Sequence, residues 1–373
     1  MNKKKIILCG NSSWSMYNFR LGLIKELIKR NYEVIILAPN DQFSQKLMEI
    51  GCRFLSIPLS GQGINPIKEI NLLYNIISIY KNEKPDMVIN YTIKPNIYGS
   101  FASKITKTSS IAITTGLGFT FTKNNIISSI AKLLYRLSLS FAKEVWFLNS
   151  DDQAIFIKEK IIKKEKTKIL YSEGICMGHF HPIPYIKEEN SFSFILIARM
   201  LRDKGILEFV SAAKIIKEKY PNTIFKLLGF CDVDNPSAIS RKEIDDWVAE
   251  GLIEYLGDTD DVRPYIAASD CVVLPSFYRE GIPRILMEAS AMEKPIITTD
   301  NVGCREVIQD GITGFFCKIK DPISLAQACE KFLNLSYQQI TQMGYEGRNF
   351  VSNKFSEERI IKEYFDSIEK YLF

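Results

Sequence analysis

The sequence lacks any long uninterrupted apolar run. No window supplies the ~20 apolar residues that a membrane-spanning helix requires, and the apolar run after the basic residues 1–5 ends at Cys9, which is too short for a signal peptide. These absences predict a protein that is soluble or rests on a membrane surface. Low-complexity tracts are absent too, so we expect the 373-residue chain, 46% hydrophobic and 24% charged, to fold throughout.

Cysteine pairs and histidine clusters are also missing. No Cys-x-x-Cys pair occurs and several cysteines lie within apolar runs, which predicts reduced, buried thiols in a cytoplasmic protein. The eight cysteines are Cys9, Cys52, Cys176, Cys231, Cys271, Cys304, Cys317 and Cys329. The two histidines, His179 and His181, have no third ligand nearby, so we assign them to packing in a linker rather than to a metal site.

Acidic residues are scarce in the first part of the chain. Residues 1–150 hold 19 lysines and arginines against 8 aspartates and glutamates, a net charge of +11, whereas the whole chain carries +5. A basic half predicts contact with an anionic surface or substrate, of which nucleic acid and anionic lipid are the candidates. Because no RNA-binding or zinc-finger signature occurs and the remainder of the chain is acidic, we expect no nucleic-acid partner.

Short β-branched runs alternate with amphipathic segments of helical length, which is typical of βαβ units and parallel sheets. The predicted strands span residues 5–10, 33–39, 53–59, 86–91, 110–115 and 144–149, then 192–199, 223–229, 254–257, 271–275 and 295–298. We therefore predict an α/β protein with two doubly wound parallel-sheet domains, residues 1–175 and 190–350, joined by a linker at 174–190. A helix over 351–373 can return to the first domain.

The first strand does not lead into a dinucleotide-binding turn. It is followed by Gly10-Asn11-Ser12-Ser13-Trp14 rather than by Gly-x-Gly-x-x-Gly. A dehydrogenase is therefore excluded, although the alternating strands alone would permit one.

The most informative motif lies in the second half, where a buried strand ends at Pro275 and a loop leads to Pro283. Pro283 fits the first position of a helix, where its missing N–H costs nothing, and the free N–H groups of that helix start suit a diphosphate. Gly281 permits close backbone approach. In this loop Glu280 can accept hydrogen bonds from sugar hydroxyls, and Glu288, two turns further on, can bind a ribose diol.

A basic cluster follows the first strand of the second domain, in residues 198–205. Arg199 and Lys204 would flank the predicted cleft, where a guanidinium and an ammonium group can neutralise the charge on a leaving diphosphate. A basic loop before a surface helix is the alternative for this pair alone. The nearby glutamate loop favours the phosphate site.

Together these motifs resemble the retaining glycosyltransferases of family 4. In the second half the likeness is carried by residues 198–205, by the spacing of Glu280 and Glu288, and by residues 300–315 with Gly303, Glu306, Asp310, Gly311 and Gly314. In the first half it is carried by Tyr17-Asn18-Phe19-Arg20, Lys94-Pro95-Asn96 and Thr115-Gly116-Leu117-Gly118. These resemble the branch that builds capsule, O-antigen and N-glycan precursors on undecaprenyl diphosphate, including N-acetylgalactosaminyltransferases. The resemblance covers nearly the whole chain and implies the GT-B architecture, two facing Rossmann-like domains with an interdomain cleft.

The resemblance also implies roles for individual residues. It assigns Arg199 and Lys204 to the diphosphate, Glu280 to the donor sugar, Glu288 to the ribose, Gly281, Ile282 and Pro283 to the donor, and the backbone near Leu256 and Gly257 to the base. Many members place a first-domain histidine near the reacting sugar, and this chain has no histidine there. We expect acceptor or sugar contacts from Asn18, Arg20, Lys94, Gly116 and Gly118 instead.

The implied activity is retaining transfer of an N-acetylhexosamine from a UDP-sugar to an undecaprenyl-diphosphate-linked saccharide in bacterial surface polysaccharide or glycan synthesis. Two alternatives stay open. One is a hexosyltransferase that uses UDP-galactose, UDP-glucose or a GDP-sugar. The other is a non-catalytic scaffold at the membrane surface, against which the intact set of four charged residues argues.

Two Asp-x-Asp sequences, Asp232-Val233-Asp234 and Asp258-Thr259-Asp260, have the form that binds a metal–nucleotide in other glycosyltransferases. Both follow short strands in turn-rich loops, where aspartate is frequent, and Arg199 with Lys204 would already supply positive charge. We therefore expect no metal and no cofactor besides the UDP-sugar co-substrate.

Residues 123–143 predict an amphipathic helix. Its apolar residues are Ile126, Ile127, Ile130, Leu133, Leu134, Leu137 and Phe141, and the opposite face carries Lys132, Arg136 and Lys143, with Lys123 at the start. Such a helix can lie in an anionic bilayer interface, although a helix covering the sheet gives the same pattern. The basic first half favours membrane contact, at the inner face of the bacterial inner membrane.

Overall fold

The computed structural model describes residues 3–59, 65–117, 126–185, 191–233 and 235–373. The chain divides into two compact units. Unit 1 comprises Met1–Gly174 with Glu357–Phe373, and unit 2 comprises Ile175–Ser356.

Unit 1 is built on a seven-stranded parallel sheet. Its strands are β1 (Lys5–Cys9), β2 (Glu33–Ala38), β3 (Arg53–Ser56), β4 (Met87–Tyr91), β5 (Ser109–Thr114), β6 (Glu144–Phe147) and β7 (Thr167–Ile169), in the order β3-β2-β1-β4-β5-β6-β7. Its helices are α1 (Ser13–Lys29), α2 (Phe43–Glu49), α3 (Pro66–Glu83), α4 (Ser100–Thr106), α5 (Ile126–Leu139) and α6 (Ser150–Lys158), with a π-helical turn at Pro95–Gly99 before α4. The central strands are apolar and buried on both faces, as parallel sheets covered by helices require.

Unit 2 contains a six-stranded parallel sheet. Its strands are β8 (Phe192–Ile197), β9 (Thr223–Leu228), β10 (Glu254–Tyr255), β11 (Cys271–Leu274), β12 (Ile296–Thr299) and β13 (Gly314–Cys317), in the order β10-β9-β8-β11-β12-β13. Its helices are α7 (Ile206–Lys219), α8 (Arg241–Ala249), α9 (Arg263–Ala267), α10 (Arg284–Ala291), α11 (Pro322–Leu333) and α12 (Tyr337–Phe355).

Alternate residues of the unit 2 strands enter two separate cores. In β8, Phe194 and Leu196 belong to one core and Ile195 and Ile197 to the other, because successive side chains of a strand point to opposite faces. Helices therefore cover both faces of the sheet, and the connecting loops are left exposed at the ends of the strands.

The last helix, α13 (Glu357–Leu372), packs on unit 1. Its Tyr364 ring lies 5.0 Å from the ring of Trp146 in β6, and Ser367 donates a hydrogen bond to the Glu144 carboxylate at 2.8 Å. The sequence prediction started this helix at residue 351, whereas in the structure residues 351–355 continue α12.

The predictions about the cysteines and about membrane-spanning helices can be compared with the structure directly. The eight cysteines are free and all except Cys176 are buried, which confirms the prediction of buried thiols. Within the described residues, no helix combines the length and the apolar character needed to cross a bilayer.

Candidate active site

In unit 2 the strand order reverses between β8 and β11, which is where doubly wound sheets bind ligands. The loops at residues 198–205 and 275–283 therefore lie side by side at the carboxyl edge of the sheet. The Asp203 carbonyl accepts hydrogen bonds from the backbone N–H groups of Phe277 (3.0 Å) and Tyr278 (3.2 Å). The structure thus brings the predicted basic cluster and the predicted glutamate loop together.

Lys204 and Glu280 form an ion pair across these two loops. Lys204 Nζ donates to Glu280 Oε1 at 2.5 Å, and both side chains are largely buried, at 16% and 12% exposure. Ser276, fully buried, donates its hydroxyl to the same carboxylate oxygen at 2.9 Å. A cation suited to phosphate and a carboxylate suited to sugar hydroxyls are thus in direct contact.

The chain after β12 supports the loop that carries Glu280. Thr299 donates its hydroxyl to the Ser276 carbonyl at 2.5 Å, and the Asn301 amide donates to the Tyr278 carbonyl at 2.9 Å. These bonds fix the loop on both sides of Phe277, so the position of Glu280 is determined by buried contacts.

Residues 303 and 304 pack directly against this loop. Gly303 has a φ of +79°, and a side chain there would overlap the Gly281 carbonyl. Cys304 is fully buried beside Glu280, and this burial raises the pKa of its thiol to about 12. Only glycine at residue 303 lets the two segments approach this closely.

Arg199 occupies a different setting from Lys204. It lies two residues beyond β8, and its side chain is exposed. Within the described residues, no carboxylate forms an ion pair with it. Its guanidinium is therefore available to an incoming anion at the same edge of the sheet.

Glu288 lies in the second turn of α10 and is buried. Arg284 Nε donates to Glu288 Oε1 at 2.8 Å. Burial raises the pKa of the Glu288 carboxyl group, while the neighbouring Arg284 lowers it. The helix begins at Arg284 and Pro283 is its N-cap in an extended conformation, one position before the predicted place, so its fixed φ marks the end of the loop.

Leu256 and Gly257 follow β10 at the same edge. The Leu256 N–H donates to the Leu227 carbonyl (2.9 Å), and the Gly257 carbonyl accepts from the Gly229 N–H (2.7 Å). Among the described residues, the Leu256 carbonyl and the Gly257 N–H make no hydrogen bond. These are the backbone groups that we expect to meet a base.

The residues predicted in unit 1 follow neighbouring strands. Lys94 comes after β4 and donates to the Glu69 carboxylate at 2.6 Å, and Gly116, with a φ of +134°, comes after β5. Asn18 in α1 donates its amide to the Trp14 carbonyl at 2.9 Å. Gly118 lies outside the described residues. The topology therefore brings Lys94 and Gly116 to one edge of the unit 1 sheet.

Arg20 is placed differently from the prediction. Its side chain is 4% exposed, one nitrogen donates to Glu173 Oε1 at 2.6 Å and another to the Ser15 carbonyl at 2.9 Å. The guanidinium also stacks over the Tyr91 ring at 4.0 Å. A buried, engaged guanidinium stabilises unit 1, and we propose no acceptor contact for it.

Helix α5 leaves most of the predicted apolar stripe exposed to solvent, as a helix that meets a bilayer would, rather than packed on the sheet. Ile130, Leu133, Leu137 and Phe141 are exposed, whereas Tyr135 and Leu139 are buried against the unit. Lys132 forms an ion pair with the Glu159 carboxylate at 3.2 Å, and Arg136 donates to the Glu159 carbonyl at 2.9 Å. Lys143 is exposed. Lys123 and the side chains of Ile126 and Ile127 lie outside the described residues.

The candidate metal ligands remain scattered. Asp234 lies outside the described residues, and in the part of the chain that the structure describes no three histidine, cysteine, aspartate or glutamate side chains form a cluster suited to a metal ion. His179 Nδ1 lies 3.4 Å from a nitrogen of Arg263, and His181 Nδ1 lies 3.1 Å from the Gly178 carbonyl.

Comparison with known proteins identifies the family. Residues 5–149 match the family described as "Glycosyl transferase 4-like", and residues 191–334 match "Glycosyl transferases group 1". The N,N'-diacetylbacillosaminyl-diphospho-undecaprenol alpha-1,3-N-acetylgalactosaminyltransferase of Campylobacter jejuni is 30% identical over 93% of this chain and 96% of its own. The chain belongs to the group 1, family 4-like glycosyltransferases. The Escherichia coli protein named UDP-Gal:alpha-D-GlcNAc-diphosphoundecaprenol alpha-1,3-galactosyltransferase is 25% identical over 84% of this chain and 88% of its own.

Solved glycosyltransferase structures show the same fold. A glycosyltransferase from Rickettsia africae matches with a TM-score of 0.84 at 20% identity, over 100% of this chain and 99% of its own. The Anabaena protein Alr3699/HepE, solved in complex with UDP, matches with a TM-score of 0.80 at 17% identity, over 98% and 100% of the two chains. These likenesses confirm the predicted GT-B fold with two Rossmann-like sheets.

Two residues of this glycosyltransferase site were missed by the sequence analysis. Ser276 holds Glu280 through a loop whose folded path no local pattern predicts. Arg284, in contrast, stands four residues before Glu288, a spacing that places the two side chains on one face of a helix. That spacing was a usable signal.

Proposed function

We propose that this glycosyltransferase is a retaining enzyme that moves an N-acetylhexosamine from a UDP-sugar to an undecaprenyl-diphosphate-linked saccharide in bacterial surface polysaccharide or glycan synthesis. The observation that carries the proposal is the ion pair between Lys204 and Glu280 at the carboxyl ends of the unit 2 strands, in the loop that leads into α10 and Glu288. The Campylobacter relative supports the acceptor class and the amino sugar.

The proposed chemistry needs charge stabilisation more than a protein base. The acceptor hydroxyl oxygen forms a bond to the anomeric carbon as the bond from that carbon to the UDP phosphate oxygen breaks, and the hydroxyl proton passes to the departing phosphate oxygen. Attack and departure on the same face retain the configuration. Arg199 and Lys204 would stabilise the charge that develops on the diphosphate.

Donor binding would exchange the partners of the Lys204–Glu280 ion pair. A diphosphate is a stronger partner for the Lys204 ammonium than one carboxylate. We therefore expect donor binding to shift Lys204 toward the phosphates while Glu280 accepts hydrogen bonds from the donor sugar. No metal takes part in this scheme.

A second candidate donor is UDP-galactose, because the E. coli relative is named for it. Incubating the protein with UDP-GlcNAc, UDP-GalNAc, UDP-galactose, UDP-glucose and a GDP-sugar, each with a lipid-linked acceptor and with or without EDTA, tests the proposal. We expect UDP release and labelled lipid with one UDP-N-acetylhexosamine, undiminished by EDTA, and an α-linked product by NMR. A β-linked product or loss of activity in EDTA would contradict the mechanism, and absence of UDP release would favour the scaffold alternative.

Exposed apolar residues and basic residues of unit 1 support a position of the protein at the inner face of the inner membrane. Besides the exposed stripe of α5, helix α3 carries three strongly exposed apolar residues, which are Ile67, Ile70 and Tyr74. Residues 87–143 contain seven lysines and arginines and no aspartate or glutamate. Exposed apolar side chains set among basic residues suit an anionic bilayer, which attracts cations and takes up apolar groups.

A further inference from the structure

Ionisation of the Glu288 carboxyl group is unfavourable at its buried position in α10. Its side chain is 10% exposed, and the residues beside it in α10, Met287 and Ala289, are buried members of an apolar core. Burial favours the neutral carboxylic acid and raises the pKa of Glu288. The ionised form accepts hydrogen bonds at both oxygens, whereas protonation turns one oxygen into a donor, so two hydroxyl donors of a ribose diol favour the ionised form.

Arg284 faces this carboxylate from one turn earlier in the same helix. Its Nε lies 2.8 Å from Glu288 Oε1, and its side chain is itself only a quarter exposed. Within the described residues, Glu288 accepts this one hydrogen bond. Because a carboxylate oxygen has two lone pairs, Oε1 can accept from Arg284 and still take part with Oε2 in binding a diol.

The other charged groups near Glu288 come from the loop before α9 and from the segment before β8. Asp261 raises the pKa of Glu288, but Arg263 binds both oxygens of Asp261, at 2.8 and 2.7 Å. His179 lies beside Arg263, and its pKa is lowered by burial first and then by the charges of Arg263 and Arg284. Arg284 is therefore the cation that compensates Glu288 directly.

We propose that Arg284 is a positioning residue of the donor site, which holds the Glu288 carboxylate ionised and fixes one of its oxygens so that the group is oriented before the nucleotide arrives. This role rests on the proposed function, in which Glu288 binds the donor ribose. Arg284 acts through Glu288 and is not required to touch the reacting atoms. Its loss should therefore weaken donor binding more than it slows the chemical step.

Steady-state kinetics of Arg284→Gln across pH test this role. We expect the KM for the UDP-sugar to rise about tenfold to a hundredfold, in line with a lost charge-assisted hydrogen bond, with kcat changed much less. As the pH is lowered, the kcat/KM of the variant should begin to fall at a higher pH than that of the wild type, because Glu288 without Arg284 takes up a proton more readily. Arg284→Lys should recover part of both effects.

Two further variants separate the possible outcomes. Arg30→Gln removes an Arg–Glu pair of the same four-residue spacing and a 2.9 Å distance on α1, and should leave KM and the pH profile unchanged. Glu288→Gln should raise KM at least as much as Arg284→Gln. If Glu288→Gln has no effect, the ribose role proposed for Glu288 is wrong; if it raises KM while Arg284→Gln leaves KM and the pH profile at wild-type values, the positioning role alone is overturned.

Discussion

At the scale of single residues, Lys204 differs from most lysines in two features. It is largely buried, and its partner Glu280 lies in a loop that is fixed by Ser276 and by the chain after β12. A lysine held in this way keeps its charge in a defined place, which is what stabilising a leaving diphosphate requires.

We expect Lys204→Ala and Arg199→Ala each to lower kcat about 10²- to 10³-fold, the loss typical of removing one preorganised electrostatic group. The measurement is UDP release at saturating donor, together with circular dichroism to show that the fold survives. Lys219→Ala, which removes a surface ion pair with Glu330 in the same unit, is the control and should retain full activity. Near-normal rates in either active-site variant would refute the assignment.

Arg20 illustrates the opposite outcome, a predicted site residue that the structure places in a buried network. We expect Arg20→Met to reduce the free energy of unfolding of unit 1 by about 3–5 kcal/mol, because the largely buried Glu173 carboxylate loses the cation that compensates its charge. In a Trp247→Phe background the remaining tryptophans, Trp14 and Trp146, lie in unit 1, so their fluorescence in urea follows that unit.

The control for Arg20→Met is Lys4→Met, which breaks the more exposed pair with Asp86 and should cost less than about 1 kcal/mol. Adding Glu173→Gln to Arg20→Met should restore part of the lost stability. Equal, small losses in Arg20→Met and Lys4→Met would show that the buried pair contributes no more than a surface pair.

At the scale of elements, the periodicity of the sequence predicts most of the fold. Eleven of the thirteen strands in the described residues were predicted within a few residues of their observed bounds, and most of these contain a buried apolar run. The two missed strands, β7 and β13, are edge strands, although the other two edge strands, β3 and β10, were predicted. An edge strand pairs with only one neighbouring strand and is less buried, so its sequence carries a weaker apolar pattern than that of a central strand.

Helix α5 shows what periodicity cannot decide. An apolar stripe at helical spacing predicts a helix but does not say which face packs on the sheet. In the structure Tyr135 and Leu139 face inward, where they pack in a core with Phe147 and Phe156, and Leu133 and Leu137 face solvent. The orientation depends on partners outside the helix.

For α5 we predict that the double variant Leu133→Glu/Leu137→Glu loses binding to vesicles that contain phosphatidylglycerol, because it places two anions and removes two apolar side chains at the proposed interface. Vesicle flotation measures the bound fraction, and raised salt should weaken binding by the wild type. Ile215→Glu, at an exposed position of α7 in unit 2, is the control and should float like the wild type. If the double variant also floats like the wild type, α5 does not form the membrane contact.

At the scale of the whole molecule, the doubly wound topology explains why the position of the site could be predicted from the sequence, whereas its side-chain contacts could not. Parallel strands have their carboxyl ends on the same side of a sheet, so the loops that carry Arg199, Lys204 and Glu280 lie together once β8 and β11 are neighbours. The ion pair between Lys204 and Glu280 depends instead on loop paths set by Ser276, Asn301 and Gly303, which no local pattern specifies.

The most direct test of the account is calorimetric titration of UDP, without its sugar, into the wild type, Lys204→Ala and Glu280→Gln. Lys204→Ala should bind UDP about tenfold or more weakly, whereas Glu280→Gln should bind it more tightly, because it frees the lysine and removes an anion from beside the diphosphate. Changes of opposite sign are the predicted result. If both variants bind UDP as the wild type does, or if Glu280→Gln binds more weakly, the diphosphate does not occupy the place assigned to it here.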